Sequence, residues 1–173
     1  MQKRRNEDGF TLIELMIVIA VIGILAVVLV PRIGSIKTQA KGAGIDTNVR
    51  MVQGYVQSKA SRWADQSFSQ AKVAQDILDA FNNTTNPDEK IKNPYSASSS
   101  ITSAISTVPV TSYAITDALQ VRDVDDGLPL ASGNPEGSIV VLVPNGNMNG
   151  NSQFIIQGYN NKGAVESTVT ITP

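Results

Sequence analysis

The chain has no cysteine and no histidine among its 173 residues, and only 5% of them are aromatic. Without imidazole there is no histidine general base; without thiol there is no thiolate nucleophile and no N/S ligand set for zinc, copper, iron–sulfur or haem. Most familiar catalytic constellations are thereby excluded, and no disulfide can staple the fold in any compartment. An excess of charge is missing too. Fourteen Lys+Arg face 15 Asp+Glu, a net charge of -1, which argues against a wholly basic nucleic-acid-binding domain and leaves only a local patch open. Phe10 and Tyr55 are the only aromatics before Trp63, too few to stack into an extended electron path. What remains is one domain's worth of chain with a modest core.

The apolar residues are unevenly spread. From Phe10 to Val30 only Thr11, Glu14 and Gly23 are not clearly apolar. At about 1.5 Å per residue this run makes a helix roughly 30 Å long, the thickness of a bilayer's hydrocarbon core. It is too long and too uniform to have a polar face, which sets it apart from the core helix of a soluble domain. Lys3, Arg4 and Arg5 precede it, and this basic cluster favours a cytoplasmic N-terminus with everything after Val30 outside. A secretory signal would be cut behind its apolar region at a small-x-small site, but the exit here is Val28-Leu29-Val30-Pro31-Arg32. The conspicuous small residue is Gly9, ahead of the run, where a cut would leave the helix on the mature chain.

Gly9-Phe10-Thr11-Leu12-Ile13-Glu14, followed by an unbroken apolar helix, resembles the class III signal of type IV pilins and of the pseudopilins of type II secretion. The resemblance covers roughly the first 60 residues. It implies that a membrane-embedded prepilin peptidase cuts between Gly9 and Phe10 and methylates the new amine of Phe10. It also implies a structural protein, with no catalytic residue and no cofactor. Its partners would be copies of itself in a helical filament, the inner-membrane assembly platform and the assembly ATPase. Gly23 and Pro31 stand where the family often has a Gly and a helix-kinking Pro. In such filaments the segment between the matching positions can lose helical order, which points to Ala26–Val30. The pair of C-terminal cysteines found in many pilins is missing.

Glu14 carries an argument of its own. A carboxylate inside a transmembrane helix costs several kcal/mol on insertion scales and is normally paired. Near the helix start it has an alternative, to reach headgroups and water. Cleavage after Gly9 creates a cation on Phe10 at the same depth, which a neighbouring subunit's Glu14 can neutralise, recruiting the subunit and setting its axial stagger. Pro31 lacks an amide hydrogen and clashes with the carbonyl of Val27, so the helix is expected to kink there, with Gly23 a second weak point. Gly and Pro are also simply tolerated in membrane helices.

Past Pro31, Ile45, Val49, Val52, Val56, Ala60 and Trp63 recur at helical spacing, one stripe of an amphipathic helix that should lie under a sheet. A single helix from Phe10 to about Ala64 would be roughly 80 Å long. Ser69 is placed to cap a second helix with Val73, Ile77, Leu78 and Phe81 on one side, ending at Asn82-Asn83. Lys92 to Thr107 is Ser-rich and reads as an exposed loop. Asn82-Asn83-Thr84 and Asn83-Thr84-Thr85 match glycosylation sequons, a pattern that also arises by chance. Strands are expected at 108–115, 118–122, 138–143, 153–159 and 164–171, the last three separated by turn formers. Asp123, Asp125, Asp126 and Gly127 resemble the opening of a calcium loop, but Asn134 stands where the closing Glu belongs, and a solvated turn fits better.

The expected fold is α+β and pilin-like: a long N-terminal helix, hydrophobic in its membrane or filament-core half and amphipathic in its second half, against a C-terminal antiparallel β-sheet. Residues 1–9 form the leader, 10–30 the transmembrane helix and 31–64 the amphipathic half. Residues 65–107 hold the short helix and Ser-rich loop, and 108–173 the sheet region. The expected role is the major subunit of a type IV pilus, for adhesion, motility or DNA uptake. It would be a single-pass membrane protein before assembly and lie on the cell surface afterwards. The alternatives are a type II secretion pseudopilin and a minor pilin acting as a binding module. For the last, Lys90, Lys92 and Tyr95 make a thin basic and aromatic loop, so a nucleic-acid partner stays open.

Overall fold

The computed structural model describes residues 10–82, 90–104, 117–124 and 135–173, the side chains of 30–33 and 102–104 excepted. Its elements are α1 (Leu12–Asp65), α2 (Gln70–Phe81), β1 (Ile101–Ala104), β2 (Leu119–Asp123), β3 (Ile139–Val143), β4 (Phe154–Tyr159) and β5 (Val165–Ile171). This is the α+β, pilin-like order of elements that the sequence predicts. The chain divides into two compact units, Met1–Ala40 and Lys41–Pro173, and α1 belongs to both.

In the first unit every Leu, Ile, Val and Met from Leu12 to Leu29 is exposed. This stretch is long and apolar enough to cross a membrane. The helix is continuous through Gly23 and Pro31.

In the second unit the predicted stripe forms the seam. Ile45, Val49, Val52, Val56, Ala60 and Trp63 are all buried, while Arg50, Gln57 and Arg62 on the far side are exposed. Ser69 caps α2, its hydroxyl accepting the Lys72 amide at 3.4 Å, and Asn82 ends it. The capped helix turns Val73, Ala74, Ile77 and Phe81 inward. Trp63 ties α2 to α1: its Nε1–H donates to Asp76 Oδ2 at 2.9 Å, and its ring lies 5.5 Å from that of Phe154 on β4. The Tyr55 hydroxyl donates to the Asp76 carbonyl at 3.0 Å, and the Tyr55 ring meets Phe81 edge-on at 5.4 Å. Each buried polar tip of the aromatic cluster thus has a partner, as desolvated Tyr and Trp require.

The sheet has five strands in the order β1-β2-β3-β4-β5. β3, β4 and β5 pair antiparallel as expected, whereas β1 with β2 and β2 with β3 pair parallel. Connection length permits the parallel pairs, since the chain between these strands is long enough for a crossover. Leu119, Val121, Ile139, Val141, Phe154 and Ile156 join the core with the helices. Val140, Leu142 and Tyr159 form a second cluster on the alternate positions, so β3 is buried at every residue and reads IVVLV without polar interruption. Arg122 and Gln120 are buried among those alternate positions, with Arg122 donating to Gln120 Oε1. Burial pushes the Tyr159 phenol above its ordinary range, against the pull of the Arg122 guanidinium.

One expectation is corrected here. Lys92 to Thr107 is not an exposed loop throughout, since Ile101–Ala104 is β1 and Asn93 is buried. A loop can enter a core only where its backbone polar groups find partners, and the Asn93 amide supplies them. Its Nδ2 donates to the carbonyls of Glu136 at 2.6 Å and Asp117 at 3.4 Å, and its Oδ1 accepts the amides of Tyr95 at 2.9 Å and Ser96 at 3.2 Å. The strand expected at 108–115 lies outside the described residues, as does most of the turn-rich stretch 123–137.

Gly158 sets how closely α1 approaches the sheet. A Cβ there would lie 2.7 Å from Ile45 Cγ2, 2.8 Å from Val49 Cγ2 and 2.7 Å from Ser167 Oγ. Gly54, on the exposed side of α1, has nothing within 4 Å of a Cβ. The two glycines therefore predict opposite signs. Gly158→Ala should destabilise by about 1–3 kcal/mol through overpacking, and Gly54→Ala should stabilise by about 0.5–1 kcal/mol through helix propensity. Urea unfolding of the detergent-solubilised chain, followed by the fluorescence of Trp63, measures both.

Candidate assembly site at the start of the long helix

The start of α1 is built by a reciprocal cap. Thr11 stands just before the first helical residue, and its carbonyl accepts the Leu15 amide at 3.3 Å. The Glu14 amide donates to Thr11 Oγ1 at 3.3 Å. In return Glu14 Oε2 accepts the Thr11 amide and the Thr11 hydroxyl, each at 2.8 Å. This is a capping box: a Thr at the N-cap and a Glu three residues on, each satisfying a backbone donor of the other that the helix leaves without a partner. The negative carboxylate also sits where the helix dipole favours it.

The remaining geometry is open. Phe10 is 88% exposed, and among the described residues Glu14 Oε1 has no hydrogen-bond partner. One carboxylate oxygen is thus committed to Thr11, next in sequence to the peptide bond of the expected cut, and the other is available to a further donor. Gly9 lies outside the described residues. Gly23 is exposed, with nothing within 4 Å of a Cβ, and Pro31 is an internal residue of α1. Thr11 was legible as a site residue from Thr-Leu-Ile-Glu, but reading Glu14 as a charge in need of a distant partner passed over the partner three residues away.

The other candidates are dispersed. Asp123 is the half-buried last residue of β2, and Asp125 and Asp126 lie outside the described residues. Among the described residues no group of three acidic side chains gathers as a metal site would require. Lys92 is exposed, but Tyr95 is half-buried, with Lys41 Nζ 5.0 Å above its ring. Asn82 is exposed at the end of α2; the rest of both sequons lies outside the described residues.

Residues 4–30 match the family described as "Prokaryotic N-terminal methylation motif". Among curated proteins, the chain is 51% identical over 39 residues to the type II secretion system core protein G of Pseudomonas aeruginosa, covering 22% of this chain and 28% of that protein. It is 42% identical over 66 residues to the type IV narrow pilus major component PilA5 of Thermus thermophilus, covering 35% of this chain and 57% of that protein. Each match thus spans less than two thirds of the relative's length. No solved structure matches significantly. The motif and the two relatives support kinship with type IV pilins and type II secretion pseudopilins.

The cap makes a prediction of its own. Thr11→Val removes the hydroxyl that both donates to and accepts from Glu14, and loss of an N-cap costs about 1 kcal/mol. In detergent micelles the amides of Leu12 to Leu15 should then exchange several-fold faster, Thr11→Ser should restore protection, and amides beyond Val18 should not change. Hydrogen exchange followed by NMR checks this.

Proposed function

We infer that this chain is the precursor of a filament subunit of the type IV pilus kind, cut after Gly9 and polymerised through its N-terminal helix. The observation that carries the reading is the pairing of a cleavage and methylation motif with an apolar helix that has no cover of its own. Such a helix is stable in a bilayer or in a bundle of its own kind, so moving from the first to the second solves the exposure problem without refolding the rest of the chain. In this reading prepilin peptidase processes the subunit and methylates the Phe10 amine. An inner-membrane platform and an assembly ATPase then extract it into a surface filament. Segments 10–30, 31–64 and 108–173 serve as anchor, scaffold and filament surface. Gly23 and Pro31 are where the helix would give as it packs.

Glu14 is proposed to act twice. In the membrane it caps its own helix through Oε2, and on assembly Oε1 faces the cationic Phe10 amine of a neighbour. The charge that is costly in one subunit becomes an attraction between two. The similarity to a type II secretion core protein favours a second reading, a pseudopilin with the same processing and the same N-terminal contacts. A minor pilin that binds DNA or a host surface gains no support from Tyr95, which is already engaged within the fold.

Two measurements test this. Intact-mass analysis of membrane material should find a mature chain that begins at Phe10, carries one methyl group and has 164 residues, the 173 less the nine of the leader. A retained leader would overturn the reading. Filament sheared from cells, normalised to mature subunit in the membrane, should fall strongly for Glu14→Ala and further for Glu14→Lys, which sets two cations together. Thr11→Val removes the cap while keeping the carboxylate, and should lower the yield less than either. Wild-type yield from Glu14→Ala would show that the carboxylate has no part in assembly.

A further inference from the structure

The loop between β3 and β4 contains the chain's two Asn-Gly pairs, Asn145-Gly146 and Asn149-Gly150, all four residues exposed. The loop is anchored from within. Met148 is 1% exposed, and its amide donates to the Phe68 carbonyl at 2.7 Å. On the Asn145 side the loop is also clasped by the first residue of α2. The Gln70 amide donates to the Gly146 carbonyl at 3.0 Å, and Gln70 Nε2 donates to Asn145 Oδ1 at 2.9 Å and to the Val143 carbonyl at 3.0 Å.

Asn149 is held differently, entirely by its own loop. Its Oδ1 accepts the Asn151 amide at 2.8 Å, its amide donates to Ser152 Oγ at 2.9 Å, and its carbonyl accepts the Ser152 amide at 3.0 Å. The bond from Asn151 curls the carboxamide forward along the chain, toward the peptide unit between Asn149 and Gly150. Among the described residues the Gly150 amide donates no hydrogen bond, and no atom lies within 4 Å of where its Cβ would be. Glycine puts no side chain in the way of its own nitrogen.

We propose that Asn149 is a site of spontaneous, non-enzymatic deamidation, and that it reacts ahead of Asn145. The Gly150 backbone nitrogen gives up its proton to water and attacks Asn149 Cγ. The N–Cγ bond forms, the Cγ–Nδ2 bond breaks, and the amide nitrogen leaves as ammonia, closing a succinimide. Water opens that ring at either carbonyl, to an aspartyl or an isoaspartyl product. The net reaction consumes one water, releases one ammonia and needs no oxidant or reductant. The Asn151 amide, already on Oδ1, stabilises the negative charge that develops there during attack, as a preorganised donor does at any tetrahedral intermediate. At Asn145 the same carboxamide oxygen is tied to a side chain of another element, and the carbonyl of the attacking glycine is bonded to α2, so the side chain and the Gly146 nitrogen are kept from closing. Each event adds a carboxylate to a chain whose net charge is already negative. The isoaspartyl product also adds a methylene to the main chain directly after the Met148 anchor.

The experiment is peptide mapping by mass spectrometry of the full chain in detergent after incubation in mildly alkaline and mildly acidic buffer, with a synthetic peptide spanning Asn147 to Gln153 as the reactive control. The expected result is a gain of one mass unit at Asn149, several-fold ahead of Asn145 and faster in alkali, with isoaspartate in the product. Gly150→Ala should suppress it several-fold without altering unfolding. Gln70→Ala should raise modification at Asn145 and leave Asn149 unchanged. The proposal is overturned if Asn145 keeps pace with or leads Asn149, or if the peptide deamidates while the folded chain does not.

Discussion

A fully exposed Val, Leu, Ile or Phe side chain forgoes about 1.5–3 kcal/mol relative to its burial, and Leu12–Leu29 presents an uninterrupted series of them. No arrangement of a single helix can hide such a surface, because it has no polar face to turn outward. The constraint selects the surroundings. A helix satisfies its own backbone hydrogen bonds, so lipid is an acceptable solvent for it. So is a bundle of similar helices, which packs without requiring any new backbone partner. The first four amides remain the weak place in either medium, since an unsatisfied donor away from water costs as much as a lost hydrogen bond. Thr11 and Glu14 satisfy two of those amides, their own, at the end of the helix nearest the predicted cleavage site.

The unit Lys41–Pro173 answers a more ordinary problem with few aromatic residues and no cross-links. Its core depends on one helix face fitting one sheet face at close range, and Gly158 is what permits the distance. Ser167 lies in the same contact, and among the described residues its buried hydroxyl has no hydrogen-bond partner. Close approach is favoured there even at the cost of an unsatisfied oxygen, which places dispersion and burial above polar satisfaction at this point of the seam. At the aromatic cluster and at Asn93 the polar groups are met one by one. The Asp76 carboxylate takes the Trp63 indole and its carbonyl the Tyr55 hydroxyl, while Asn93 bonds two amides of its own segment, Tyr95 and Ser96, and two carbonyls beyond it, Asp117 and Glu136.

What was legible in the sequence is what periodicity encodes. The stripe from Ile45 to Trp63 repeats at helical spacing and is buried residue for residue. Ser69 was identifiable as a cap because a hydroxyl ahead of an amphipathic run has one common use. β3 announced itself by an unbroken apolar run. What was hidden depends on contacts distant in sequence. Nothing in Ile101-Thr102-Ser103-Ala104 separates an edge strand from a Ser-rich loop, because the outcome rests on pairing with Leu119 to Arg122. The burial of Asn93 likewise requires carbonyls at Asp117 and Glu136, and no local pattern brings those together. The parallel pairs are permitted by connection lengths that were countable only once both partner strands were assigned.

The capping box changes how the charge on Glu14 should be weighed. Read from composition, it is a carboxylate stranded at the edge of an apolar run, and an external cation is the natural remedy. Read from the geometry, most of the remedy is internal: two hydrogen bonds from Thr11 and the positive end of a helix dipole already stabilise the carboxylate where it stands. In the proposed membrane-inserted state, its insertion would therefore cost less than that of an isolated charge. An attraction to a neighbour's amine need not then rescue a misplaced charge. In the proposed assembly it would have only to make the bundle better than the bilayer for a residue that both accommodate, and the open Oε1 would supply that increment without breaking the cap.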